Sequence, residues 1–226
     1  MNEAPSAADV LPDRTVAGER LAERLLRYQN QFPVVLALPR GGVPVAFEIA
    51  RRLGAPLDVL IVRKVGAPSN PEYGLGAVAE GGTRFLDEVR IRAAGYTLRD
   101  LGPTIAQEAA EVDRRAREYR EGTPPVEVRD RTVILVDDGV ATGGTMLAAL
   151  RAVRSKGASR IVLALGVAPP DTVELLRREA DDLVVLLAPP EFFAVGEWYH
   201  RFSQVTDSEV RHLLERSRGP SFFRKS

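Results

Sequence analysis

VILVDDGVATGGTM, residues 133–146, is the stretch on which the rest of the chain is read. Four apolar residues run into two carboxylates, Asp137 and Asp138, and then into a turn of small residues that opens a helix. A continuous apolar run of this kind suits a strand buried on both faces of a parallel sheet. In the second half, successive backbone N–H groups at a helix start, beside the hydroxyls of Thr142 and Thr145, form a cradle for an anion. The two carboxylates have the wrong sign for a phosphate, but they accept hydrogen bonds from vicinal hydroxyls. A ligand with a phosphate at one end and a sugar diol close by fits both halves, as a ribose 5-phosphate does. Any one of these residues taken alone could be a helix cap on a plain turn, whereas the whole string favours the ligand. The Walker pattern and the dinucleotide G-x-G-x-x-G are both absent.

Outward from this stretch the hydrophobic period alternates. Apolar runs at 33–38, 56–62, 160–165 and 183–187 read as further strands. Helical spacing covers about 15–28, 43–53, 87–94, 103–121, 143–156, 171–179 and 207–217, with Asp207 placed to cap the last. Strands alternating with helices predict an α/β fold with a three-layer parallel sheet. Ligands bind outside the carboxyl ends of such strands, so the loops that follow them carry the function. Residues 1–12 are expected to be a disordered leader, 13–217 the domain and 218–226 a flexible tail.

The composition excludes several classes. Thirty-one basic residues balance 31 acidic ones, and the segment 84–131 is balanced too, which argues against a nucleic-acid face. With no Cys and two His, neither a disulfide framework, a thiolate zinc site nor a His-rich metal cage is expected. No apolar stretch approaches the length of a membrane span, and the N-terminus has no signal-peptide character, so a cytoplasmic protein is expected. Only three of the 31 basic residues are lysines, at 64, 156 and 225, which draws attention to where they stand.

The 133–146 string resembles the phosphoribosyl-pyrophosphate motif of type I phosphoribosyltransferases, and Asp-Asp with Ala-Thr-Gly-Gly-Thr is most similar to the adenine-specific members. The resemblance implies their fold, a three-layer parallel sheet under a small, mostly helical hood, here about 84–131 and 188–217. It also implies transfer of a 5-phosphoribosyl group from phosphoribosyl pyrophosphate to a nitrogenous acceptor such as a nucleobase, with Mg2+ carried on the substrate and no direct protein ligand. On this reading Asp137, Asp138, Gly139, Ala141, Thr142, Gly143, Gly144 and Thr145 hold the ribose 5-phosphate. Dimers are common among such relatives.

The other strand-end loops are consistent with that expectation. Arg40-Gly41-Gly42 pairs a forked cation with a backbone that a ligand can approach closely. It resembles the pyrophosphate loop of xanthine and related transferases, which often contains a non-proline cis peptide. Arg63-Lys64 ends another strand, and alternation sends the two side chains opposite ways, so one of them, taken as Lys64, reaches pyrophosphate. The Gly/Pro-rich segment 66–82 reads as a mobile loop over the site, with Glu72 as candidate acid–base and Glu80 as its rival. The position where hypoxanthine-guanine members carry an aspartate base is Ala141 here. Phe193, before Ala194-Val195-Gly196, is similar to the base-stacking loop of purine transferases, with Trp198 as a second wall. The rival functions are a non-catalytic sensor of phosphoribosyl pyrophosphate or nucleotides that acts as a regulator, and a ribose-phosphate hydrolase or phosphorylase.

Overall fold

The computed structural model describes residues 10–219 and 222. Five parallel strands build the central sheet: β1 (Val34–Ala37), β2 (Leu57–Val59), β6 (Thr132–Gly139), β7 (Arg160–Val167) and β8 (Asp182–Leu187). Their order across the sheet is β2-β1-β6-β7-β8. These are the five runs expected as strands. Along β1 and β6 alternate residues enter two cores. Val35, Ala37, Ile134 and Val136 pack under α1 (Arg14–Leu25), α2 (Gly42–Leu53) and α7 (Asp207–Arg218), while Val34, Leu36, Val133 and Leu135 pack under α5 (Gly144–Ser155) and α6 (Pro170–Arg177). Burying each of the Val, Leu and Ile side chains contributes about 1.5–3 kcal/mol, which makes a sheet covered on both faces the stable solution.

The expected strand 56–62 ends early. The chain leaves the parallel sheet after β2 and enters a second, antiparallel sheet of β3 (Val62–Ala67), β4 (Asn70–Ala79) and β5 (Arg84–Leu86). The segment 66–82, expected as an open loop, is thus mostly a hairpin. Its glycines had concealed the strand. A Cβ on Gly76 would lie 2.3 Å from the Phe85 carbonyl oxygen, and one on Gly66 would lie 2.2 Å from that of Pro71. These are positions where backbones approach too closely for a side chain. With α3 (Glu88–Ala93) and α4 (Gly102–Arg120), this sheet closes a separate apolar cluster around Leu75, Ile91 and Leu101. The hood therefore contains a sheet as well as helices.

Both chain ends depart from expectation where they are described. Leu11, assigned to the disordered leader, is fully buried and bridges Tyr199. Phe222, assigned to the flexible tail, is buried with its ring 5.2 Å from that of Phe47. Residues 1–9, 220–221 and 223–226 of those two segments lie outside the described residues. The cap of α7 is Thr206, whose side chain accepts from Glu209 N at 3.2 Å, while Asp207 turns to Tyr119. Among the described residues no helix is long and apolar enough to cross a membrane.

Candidate active site

Asp137 and Asp138 lie at the end of β6 on the carboxyl edge of the sheet, the side on which the ligand cleft of such folds lies. Asp138 is nearly buried and its carboxylate packs on the Arg40-Gly41-Gly42 turn. The peptide bond between Pro39 and Arg40 in this turn is cis. A Cβ on Gly41 would stand 2.0 Å from Asp138 Oδ2, and one on Gly42 would stand 2.7 Å from the Val136 carbonyl oxygen. The absence of side chains therefore lets loop and carboxylate share one space. Gly41→Ala is expected to cost about 1–3 kcal/mol of stability through forced repacking. A thermal melt checks this, with Gly102→Ala as control, since a Cβ there meets nothing within 4 Å.

The two carboxylates have different surroundings. Asp137 Oδ1 accepts from Asp138 N at 2.9 Å. Burial, reinforced by the neighbouring Asp138 charge, pushes the Asp137 carboxyl well above the usual carboxylate range. Asp138 Oδ2 accepts from Arg14 Nε at 2.7 Å, with both side chains 11% exposed. Arg14 has no place in the motif loops. One signal for it existed: it opens α1, where a cation faces the positive end of the helix dipole and needs another reason to be there. Tyr199 donates its hydroxyl to the Asp138 carbonyl oxygen at 2.6 Å, and burial with the Asp138 charge pushes that hydroxyl up.

Beyond Asp138 the chain passes through Gly139, Ala141 and Thr142 into α5. Gly143, at φ 80°, precedes the helix, and its carbonyl oxygen takes the first helical bond, from Leu147 N at 2.8 Å. The N–H groups of Gly144 and Thr145 stand before that bond, so the helix itself offers them no acceptor. Thr142, Gly144 and Thr145 line one wall of a 520 Å3 cavity whose other walls include Lys64, Tyr73 and Arg90. Lys64 thus faces the small-residue turn across this cavity. Arg63 points the other way and donates to Glu108 Oε2 on α4 at 2.7 Å. The strand alternation is as expected.

The remaining candidates are spread wider. Arg40 lies 3.9 Å from Asp207, the residue that accepts from Tyr119. Glu80 is buried against Arg120 and Asp58 and is committed to that ion cluster, away from the cleft. Glu72 lies on β4, and its side chain is outside what the structure describes. The loop after β8 folds back over β6, so that Val195 covers Gly139. From this loop Phe193 projects into solvent at 76% exposure. Trp198 is partly buried beside Leu11 and Tyr199, and its buried Nε1 has no acceptor among the described residues.

A family model described as "Phosphoribosyl transferase domain" matches residues 11–196. The Mycobacterium tuberculosis (strain ATCC 25618 / H37Rv) protein named "Putative phosphoribosyl transferase Rv0571c" is 43% identical over 205 residues, covering 91% of this chain and 46% of the relative. This chain therefore spans less than half the length of that relative. The crystal structure of TT1426 from Thermus thermophilus superposes with a TM-score of 0.81 at 46% identity, covering 93% of this chain and all of the other. A shorter match, 38% identical over 64 residues, joins 28% of this chain to 31% of a uracil phosphoribosyltransferase of Clostridioides difficile (strain 630).

Proposed function

This chain belongs to the phosphoribosyl transferase domain family, and on that premise we propose that it transfers a 5-phosphoribosyl group from phosphoribosyl pyrophosphate to a nitrogenous acceptor. The observation that carries this reading is one continuous arrangement. The paired carboxylates at the end of β6 sit against Gly41-Gly42 on one side and run on into the Thr142–Thr145 turn, which Lys64 faces on the other.

The roles follow from the chemistry of the residues. Hydroxyls of the ribose hydrogen-bond to Asp137 and Asp138, and the negative charge of the pair stabilises the positive charge growing at the anomeric carbon. The N–H groups of Gly144 and Thr145 and the two threonine hydroxyls hold the 5-phosphate, a binding contribution remote from the bond that breaks. Arg40, the Gly41-Gly42 backbone and Lys64 hold the pyrophosphate as it leaves with the bonding electron pair. A ring nitrogen resting on Phe193, with Trp198 as second wall, attacks the anomeric carbon from the opposite face. Glu72 is the proposed proton acceptor, from the sequence.

The donor set suits Mg2+ held through substrate oxygens. An ion carried by the substrate would lie beside the adjacent carboxyl groups of Asp137 and Asp138 at the end of β6. When bound there, the ion neutralises charge on the departing pyrophosphate.

The test is pyrophosphate release from phosphoribosyl pyrophosphate and Mg2+, measured with and without a panel of nucleobases. Release that depends on one base is the expected result. Binding without release would make the chain a sensor, and base-independent release would make it a hydrolase.

A further inference from the structure

We propose that Arg14 is a positioning residue that ties the Asp138 carboxylate to the loop 198–203, so that the sugar-holding group and the acceptor side of the cleft are set together. Its guanidinium is engaged in three ways. Nε donates to Asp138 Oδ2 at 2.7 Å, Nη1 donates to the Ser203 carbonyl oxygen at 2.7 Å, and the planar face lies 3.9 Å from the centre of the Phe202 ring. A carboxylate, a carbonyl and an aromatic ring held by one side chain is an arrangement that only a flat, forked cation satisfies.

The same loop is sewn to the segment before α1. His200 N donates to the Leu11 carbonyl oxygen at 2.8 Å, Arg201 N donates to that of Pro12 at 3.0 Å, and the Arg201 guanidinium pairs with Asp13. Asp138 is therefore gripped from this loop twice, on its backbone by Tyr199 and on its carboxylate through Arg14. Oδ2 is thus committed to Arg14, and the carboxylate also lies within hydrogen-bonding reach of the Asp137 carboxyl. The titratable and charged groups around Asp138 are Asp137 on its own strand, Arg14 from α1 and the Tyr199 hydroxyl from the loop. This inference rests on reading Asp138 as a sugar-binding carboxylate.

Two variants separate the roles of Arg14. Arg14→Met keeps the apolar stem and removes the charge, whereas Arg14→Lys keeps the charge but cannot serve all three partners. Each is measured by calorimetric titration with phosphoribosyl pyrophosphate and Mg2+, and by carbon-13 NMR titration of the aspartate carboxyls. Arg14→Met is expected to weaken binding at least about tenfold, the scale of one charge-assisted contact. It also moves the Asp137 titration to higher pH, because a cation favouring its ionisation is gone. Arg14→Lys is expected to restore the titration but not the affinity. Wild-type affinity and titration in a folded Arg14→Met overturn the proposal. If Arg14→Met does not fold, wild-type affinity in Arg14→Lys overturns it. If the wild-type protein binds no phosphoribosyl pyrophosphate, the sugar-site reading fails separately, and an unmoved carboxyl titration then overturns the Arg14–Asp138 coupling as well.

Discussion

Asp138→Asn is expected to lower phosphoribosyl transfer about a thousandfold, the scale seen when a group facing developing charge is removed. The fold should survive, because Asn has the shape of Asp and its Oδ1 can still accept from Arg14. What disappears is the anion. An amide nitrogen cannot accept from a ribose hydroxyl, and no negative charge remains to stabilise the anomeric carbon as the pyrophosphate departs. Asp137 also loses the like charge that helps push its carboxyl up, so it ionises more readily in the variant. That gain does not compensate, since the carboxylate in contact with the Gly41 turn has gone. Steady-state pyrophosphate release gives the rate, and a thermal melt within about 3 °C of wild type shows that the fold is intact. Turnover near the wild-type level would remove Asp138 from the reacting site.

The largest stability effect is expected at Arg120, which is 7% exposed at the end of α4. Its Nε donates to both oxygens of Asp58 at 3.0 Å, its Nη2 to the Val59 carbonyl oxygen at 2.8 Å, and its terminal nitrogens to Glu80. Asp58 accepts in addition from Val126 N at 3.0 Å. One guanidinium thus joins a strand of the main sheet, the end of β4 and a hood helix. Arg120→Met leaves two buried carboxylates without their cation and should cost about 3–5 kcal/mol. Chemical denaturation measures it. Adding Asp58→Asn and Glu80→Gln to Arg120→Met should recover part of the loss, because the carboxylates left unpaired are then neutral. A loss below about 1 kcal/mol for Arg120→Met alone would place the cluster among weak surface pairs.

Glu80 shows why part of the site could not be read in advance. It follows a Gly-rich segment beside the cleft, and by spacing it was as good an acid–base candidate as Glu72. Its fate is decided by Arg120, 40 residues away in sequence. The hairpin β3–β4 was hidden for a related reason. Gly66, Gly74 and Gly76 weaken the apolar alternation by which a strand is recognised, and their role becomes visible only beside the backbone or side chain that each one meets.

The sequence by itself determined the parallel sheet, the order of its helices and the motif after β6. Those features are written in local periods and in adjacent residue types: an apolar run, two carboxylates, small residues at a helix start. The opposed directions of Arg63 and Lys64 belong to the same class, since strand alternation is a property of neighbours. Only the tertiary structure decided that Arg14 grips Asp138 across 124 residues, that Leu11 and Phe222 belong to buried packing, and that the hood contains a sheet. The physical reason is the same in each case. A long-range contact depends on where two distant segments are delivered by everything packed between them, and no spacing along the chain encodes that distance.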